Sequence, residues 1–261
     1  MQISKTNEIF KEFRNLIKHN PFNNITISSD LEVLKIVNLY NIKIDTLLYV
    51  SDIEYQSDTL KLLDDLKNKA DNCYEISKQS FDILKLKENH AGIIAKIKFN
   101  EYTLNDFKKY KFICVLDKLE IPGNIGTIYR TLSSINIDGL VLVDEISKKS
   151  NLQITSSSRG SNLIIPTISL SYDECQKFLL DNNFDIYLGE PKLGKNYKEY
   201  NYDNKVALVF GNERFGINPN WYNNKHIKVY IPMEGPHNSL NVGVASSIIL
   251  YEAYMKRKCG N

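Results

Sequence analysis

Three short segments gather the residues that could do chemistry. Asn124, Gly126 and Arg130 lie in Pro-Gly-Asn-Ile-Gly-Thr-Ile-Tyr-Arg (122–130). Gly211, Asn212, Glu213 and Gly216 lie in Phe-Gly-Asn-Glu-Arg-Phe-Gly (210–216). Ser239 and Asn241 lie in Ile-Pro-Met-Glu-Gly-Pro-His-Asn-Ser-Leu-Asn-Val (231–242). Each segment follows a run of apolar residues with β propensity. In an α/β protein such segments form loops at the carboxyl ends of strands, the usual place for ligands. Asn124 and Arg130 are less than two helical turns apart, so both side chains can reach one end of a sheet. Gly123 and Gly126 allow a tight turn and close approach of another chain. Two glycines bracketing Glu213 suit a ligand held by backbone amides and carbonyls. Ile231, Pro232 and Met233 can line an adenine pocket and offer backbone groups to the base edge.

Each segment also has a plainer reading. The first could be a glycine-rich strand-to-helix turn with a solvated arginine. It is neither a dinucleotide fingerprint nor a P-loop, because G-x-G-x-x-G and the Lys-Ser/Thr pair are both absent. The second could be a polar loop in which Glu213 serves as a cap. In the third, Ser239 is a reasonable N-cap for a following helix. Asn241, a poor helix former in a first turn, implies a local role. Pro232 marks the end or edge of a strand.

The elements that must position these loops are legible as apolar runs. Ile9, Phe13, Leu16 and Ile17 predict a helix over 5–19, ended by Asn20-Pro21. Strands are expected at 24–28, 46–50, 73–76 and 92–99. Helices are expected from Ser29 or Asp30, over 57–70, and from Ser77 to Leu84. Further on, strands are expected at 112–117, 139–144, 163–168, 184–188, 206–210 and 227–231. A helix carrying Ile128, Leu132 and Ile135 starts near Gly123, and a last one runs from about Leu240 to Arg257. Near-continuous apolar runs between helices predict a mainly parallel sheet covered on both faces. The expected division is an α/β domain over 1–100, a polar linker over 101–110 and a second domain over 111–261.

Composition sets the limits. The chain has 261 residues, 43% hydrophobic and 25% charged, as in a globular protein able to build a sizeable core. The net charge of +2 is spread evenly and lacks the bias of a DNA-binding domain. Lys256-Arg257-Lys258 is a local basic cluster that reads as a solvated helix end. Cys73, Cys114, Cys175 and Cys259 lie far apart, as reduced thiols do, and the four histidines show no zinc spacing. No leader-like or membrane-spanning apolar stretch is present, which predicts a cytoplasmic protein without a membrane partner.

Taken together and in order, the three segments resemble the signature motifs of the SpoU/TrmH branch of the SPOUT RNA methyltransferases. Asn124, Gly126 and Arg130 match Asn-x-Gly-x-x-x-Arg; Gly211, Glu213 and Gly216 match Gly-x-Glu-x-x-Gly; residues 231–242 match Ile-Pro-Met followed by Ser-Leu-Asn-Val. The resemblance covers about 111–258. Gly243 departs from it where a serine often follows Asn-Val. Ser158-Arg159-Gly160 and Val115-Leu116-Asp117 look like the thiostrepton-resistance methyltransferases, which 2′-O-methylate an adenosine in the thiopeptide-binding loop of large-subunit rRNA and carry a ribosomal-protein-like α/β module that grips RNA.

The resemblance implies a trefoil-knotted SPOUT domain behind a smaller ribosomal-protein-like α/β domain, a homodimer with shared active sites, and S-adenosylmethionine as cofactor. Carried over by motif, Phe210, Gly211, Asn212, Glu213, Gly216, Ile231, Pro232, Met233, Ser239, Leu240 and Asn241 would hold the cofactor. Arg130, Asn124, Glu213, Ser239 and Asn241 would carry the reaction. The family assigns removal of the 2′-hydroxyl proton to the arginine. A guanidinium makes a poor base, so a grip on phosphate and stabilisation of oxyanion charge fit Arg130 better. The expected substrate is RNA, with 23S rRNA ahead of tRNA. Two other readings stay open: a non-catalytic RNA-binding or ribosome-assembly protein, and a base methyltransferase.

Overall fold

The computed structural model describes residues 2–19, 24–84, 86, 91–224 and 226–259. The expected helix end at Asn20-Pro21 lies outside them. The chain forms two units, one of Met1–Asn100 with Lys148–Ile164, the other of Glu101–Ser147 with Ile165–Asn261.

The first unit contains α1 (Glu8–Lys18), β1 (Ile25–Ser28), α2 (Leu31–Leu39), β2 (Ile44–Val50), α3 (Ser57–Lys69), β3 (Ala70–Ile76), α4 (Lys78–Leu84) and β4 (Ile93–Lys98). Its sheet order is β1-β4-β2-β3, with β2 and β3 parallel and the other pairs antiparallel. Alternate side chains enter two cores, as the two-residue strand period requires. Leu47, Ala95 and Ile97 pack with Val33, Leu34 and Leu66 on one face. Leu48, Val50 and Ile94 pack with Phe10, Phe13 and Phe81 on the other. Of the two candidate caps, Asp30 caps α2, its carboxylate accepting the Glu32 N–H at 3.0 Å.

The second unit contains α5 (Leu104–Phe107), β5 (Phe112–Asp117), α6 (Pro122–Ser134) and β6 (Gly139–Val143). The chain then enters the first unit as α7 (Leu152–Ser157) and a 3-10 turn at Ser161–Leu163. It resumes the second with β7 (Thr167–Leu170), α8 (Tyr172–Asp181), β8 (Asp185–Glu190), β9 (Lys195–Asn196), β10 (Val206–Phe210), β11 (Ile227–Tyr230) and α9 (Val242–Cys259). The sheet order is β7-β6-β5-β10-β8-β11-β9, and every pair is parallel. Ile113, Val115, Leu188, Ala207 and Val209 face a core closed by Phe178, Leu179 and Trp221. α9 packs against β8, β10 and α6.

Two parts of the expected division differ. Residues 101–110 are not a linker: Thr103 and Asp106 form a capping box on α5, and Phe107 is wholly buried in the second unit's core. A side chain at Gly139 would strike its ring at 2.7 Å, so this helix is docked. Residues 148–164 belong with the first unit rather than the second. The Thr155 and Thr26 hydroxyls share a buried hydrogen bond at 3.1 Å. Leu163 joins the core around α2 and Leu152 the core around α1. The strand expected from Leu163 therefore starts only at Thr167. Arg257 also differs from a solvated helix end: its Nη1 donates to the Tyr202 and Asn204 carbonyls and its guanidinium lies 5.2 Å from the Phe112 ring centre.

Candidate active site

Because β5, β10, β8 and β11 are adjacent and parallel, their carboxyl ends bring four loops to one edge of the second unit. Between those loops is a cavity of about 430 Å³. Asn124 from the first motif lines it; so do Phe210, Gly211, Asn212, Glu213 and Gly216 from the second. Ile231, Met233, Ser239, Leu240 and Asn241 from the third complete that wall.

Hydrogen bonds tie the motifs together. α6 begins without a side-chain cap of its own. The Glu213 carboxylate braces the chain entering that helix from the neighbouring loop, accepting the Glu120 and Ile121 N–H groups, each at 3.1 Å. Negative charge there also complements the helix dipole. Asn124 Nδ2 donates to the same carboxylate at 3.0 Å, and Asn124 Oδ1 accepts from Asn241 Nδ2 at 3.0 Å. Asn241 Oδ1 in turn accepts the Gly243 N–H at 2.9 Å, capping α9. Asn241 is thus the cap that Ser239 was expected to be, and α9 starts at Val242. A Cβ at Gly243 would meet Asn241 Oδ1 at 3.1 Å, so glycine there leaves room for the capping amide. Burial pushes the Glu213 carboxyl upward, but the Asn124 amide and the backbone donors outweigh it and hold the carboxyl below its ordinary value. Glu213 is therefore a fixed carboxylate at neutral pH, its hydrogen bonds spent on positioning.

The second motif is a closed loop. Asn212 and Gly216 exchange two backbone hydrogen bonds of 2.9 Å, and Asn212 Oδ1 accepts the Arg214 and Phe215 N–H groups. Gly216 has φ +72°, which glycine adopts freely. A Cβ at Gly211 would lie 2.3 Å from the Gly216 carbonyl carbon, so no side chain fits at this wall of the cavity.

Arg130 and Pro232 are the two predicted residues that do not line the cavity; both are exposed. Along an α-helix Arg130 is turned about 120° from Asn124. Asn124 faces Asn241 while Thr131, one further position along, bonds Ser247 at 2.7 Å. The face of α6 toward α9 thus excludes Arg130. Sequence reading missed Gly189, Glu190 and Pro191, which form another wall of the cavity. They end β8, whose apolar run signals only a buried strand. Burial raises the Glu190 carboxyl, which accepts a short hydrogen bond from the Tyr222 hydroxyl.

The profile of the SpoU rRNA Methylase family matches residues 111–251. The 23S rRNA (guanosine(2553)-2′-O)-methyltransferase RlmP of Bacillus subtilis is 28% identical over 179 residues, 69% of this chain and 71% of that protein. An uncharacterized tRNA/rRNA methyltransferase of Borreliella burgdorferi is 33% identical over 173 residues, 65% and 76% of the respective chains. Among solved structures, the SpoU methyltransferase AviRb of Streptomyces viridochromogenes in complex with AdoMet has a TM-score of 0.86 at 20% identity, covering 98% of this chain and 100% of that one. That likeness is one of fold.

Proposed function

This chain belongs to the SpoU rRNA methylase family, RNA ribose 2′-O-methyltransferases that use S-adenosylmethionine, and from that premise we propose that its cavity takes the methyl donor and that its substrate is large-subunit ribosomal RNA in the cytoplasm. The observation that carries this reading is the chain of hydrogen bonds from Glu213 through Asn124 to Asn241, which locks all three motifs around one cavity. The name of the B. subtilis relative supports the choice of rRNA, and tRNA is the alternative substrate.

The cavity suits the cofactor. Its volume is that of a small-molecule site. Ile231, Met233 and Leu240 give it an apolar wall, and Gly211 leaves backbone bare for close approach. Phe210, Gly211, Asn212, Gly216, Ile231, Met233, Ser239 and Leu240 would hold the group, with Pro232 fixing the backbone between two of them. When bound, S-adenosylmethionine would supply an electrophilic methyl group: its sulfur–carbon bond would break as the ribose 2′-oxygen–carbon bond forms, leaving S-adenosylhomocysteine, with the hydroxyl proton released to water. Asn124, Glu213 and Asn241 keep the loops in register, so that little reorganisation accompanies transfer. Ser239, exposed at the cavity, would orient the ribose. Arg130 grips the adjoining phosphate and stabilises charge growing on the 2′-oxygen.

Arg130 lies outside the cavity of its own chain, and Val244, Tyr251 and Met255 leave an exposed apolar stripe along α9. These features support a homodimer in which Arg130 of one subunit serves the cavity of the other. The strand order, with β10 between β5 and β8, supports the knotted path that the sequence motifs imply. The first unit would be the part that recognises RNA. Calorimetric titration with S-adenosylmethionine separates this reading from that of a non-catalytic RNA-binding protein: saturable one-to-one binding supports it, and absence of binding rejects it.

A further inference from the structure

Three large apolar side chains stand exposed around the cavity mouth, one from each motif loop. They are Ile121 at 49%, Phe215 at 82% and Leu240 at 40% exposure. Ile121 and Leu240 line the cavity, and Phe215 lies between Arg214 and Gly216, which also line it. Phe215 is not exposed for want of order. Its own N–H donates to Asn212 Oδ1 at 3.1 Å, and the paired backbone bonds between Asn212 and Gly216 close the loop beneath it. The fold therefore holds a phenyl ring out in water beside the cavity. Clustered exposed apolar groups at such a rim mark a docking surface.

The chemistry of the cavity limits what docks there. A ribose 2′-hydroxyl reaches a recessed site only if its nucleotide leaves the stack, and an unstacked base needs a flat apolar partner. Arg214, exposed on the same rim, offers a guanidinium to the backbone phosphate. Resting on the function proposed above, we infer that Phe215, on the loop whose Arg214 and Gly216 line the cavity, stacks on the base of the nucleotide being methylated, with Arg214 meeting its phosphate. Phe215 would then set affinity for RNA without touching the cofactor.

The test uses this 261-residue chain and unmodified 23S rRNA, with Phe215→Ala and Phe215→Trp. Phe215→Ala should raise the KM for RNA roughly ten-fold. Its affinity for S-adenosylmethionine and its elution volume should match those of the wild type. Phe215→Trp should restore the KM, and its indole fluorescence should be quenched by RNA and not by the cofactor. The single natural tryptophan, Trp221, is wholly buried and gives a constant background. An unchanged KM in Phe215→Ala, or no RNA-dependent quenching in Phe215→Trp, overturns the inference. So does a shift of Phe215→Ala to a smaller species, which would place the ring between subunits. If the wild type binds RNA but methylates none, the proposed function fails while the quenching experiment still decides the role of Phe215.

Discussion

Asn124 and Asn241 are 117 positions apart in the chain, yet Asn241 Nδ2 donates to Asn124 Oδ1 at 3.0 Å. Each amide also has a second duty: Asn124 holds Glu213 and Asn241 caps α9. The pair should therefore behave as one unit. Asn124→Ala and Asn241→Ala should each weaken cofactor binding, and the double variant should lose less than their sum. A coupling of about 1 kcal/mol is expected from a double-mutant cycle of calorimetric affinities. Strict additivity would show that the hydrogen bond has no part in shaping the cavity.

Gly211 makes a sharper steric prediction. A methyl group there would overlap backbone at 2.3 Å, not a movable side chain. Gly211→Ala should lower affinity for S-adenosylmethionine by roughly ten-fold or more while the fold survives, since overpacking costs about 1–3 kcal/mol. Binding at wild-type strength, measured by calorimetry, would refute this account of the wall.

The half-buried Glu213 and the buried Asp117 should act in opposite directions with pH. Glu213 has a depressed pKa in the folded state, so its contribution is complete at neutral pH and is lost as pH falls through that lowered value. Cofactor affinity should hold from neutral pH through the ordinary carboxylate range and drop only as pH falls through that lowered value, and Glu213→Gln should flatten the drop. Asp117 is the converse. Burial raises its pKa despite bonds from the Asn218 N–H and Trp221 Nε1, and Oδ1 has no hydrogen-bond partner. The native state then binds a proton more readily than the unfolded chain. Stability from this group falls as pH rises between the unfolded and folded values. Denaturant midpoints measured from pH 4 to 8 should show that decline in the wild type and lose it in Asp117→Asn.

If Arg130 serves a neighbouring subunit, activity can be rebuilt from two impaired proteins. Arg130→Ala should bind cofactor normally and transfer no methyl group, whereas Gly211→Ala, assayed with S-adenosylmethionine well below its weakened Kd, should transfer little. Mixed and re-equilibrated, the two should recover a fraction of wild-type transfer, because one hybrid cavity per dimer combines an intact wall with an intact arginine. No recovery in a verified heterodimer would assign Arg130 to its own chain's cavity.

Much of this site was legible before the coordinates, because apolar runs followed by glycines and amides place loops at the carboxyl ends of parallel strands. What local sequence could not show was direction and partner choice. Asn124 and Arg130 read alike along the chain, but a helix turns them apart. Ser239 reads as the cap, but Asn241, held by Asn124 across the cavity, takes that role. Glu190 lies just beyond the strand expected at 184–188 and becomes cavity wall only because β8 runs on to it between β10 and β11. Ser158-Arg159-Gly160, which looked like a substrate signature, has a packing explanation in the first unit. Gly160 has φ +83° and closes the end of α7, with Val33 and Ile36 of α2 3.4 Å from where a Cβ would be. The Ser158 hydroxyl donates to Asn162 Oδ1 at 3.0 Å. Asp117, from the other such segment, anchors the residues after the second motif. Neither segment by itself identifies a thiopeptide-binding loop as the target.

The central claim is that this chain moves a methyl group from S-adenosylmethionine to a ribose 2′-oxygen of RNA. The direct measurement is incubation of the protein with isotopically labelled S-adenosylmethionine and unmodified 23S rRNA or tRNA, followed by nuclease digestion and mass spectrometry of the nucleosides. The account predicts label on the ribose of a single 23S rRNA nucleotide, abolished in Arg130→Ala. Label on a base, or no label in either RNA from a protein that binds the cofactor, would contradict it.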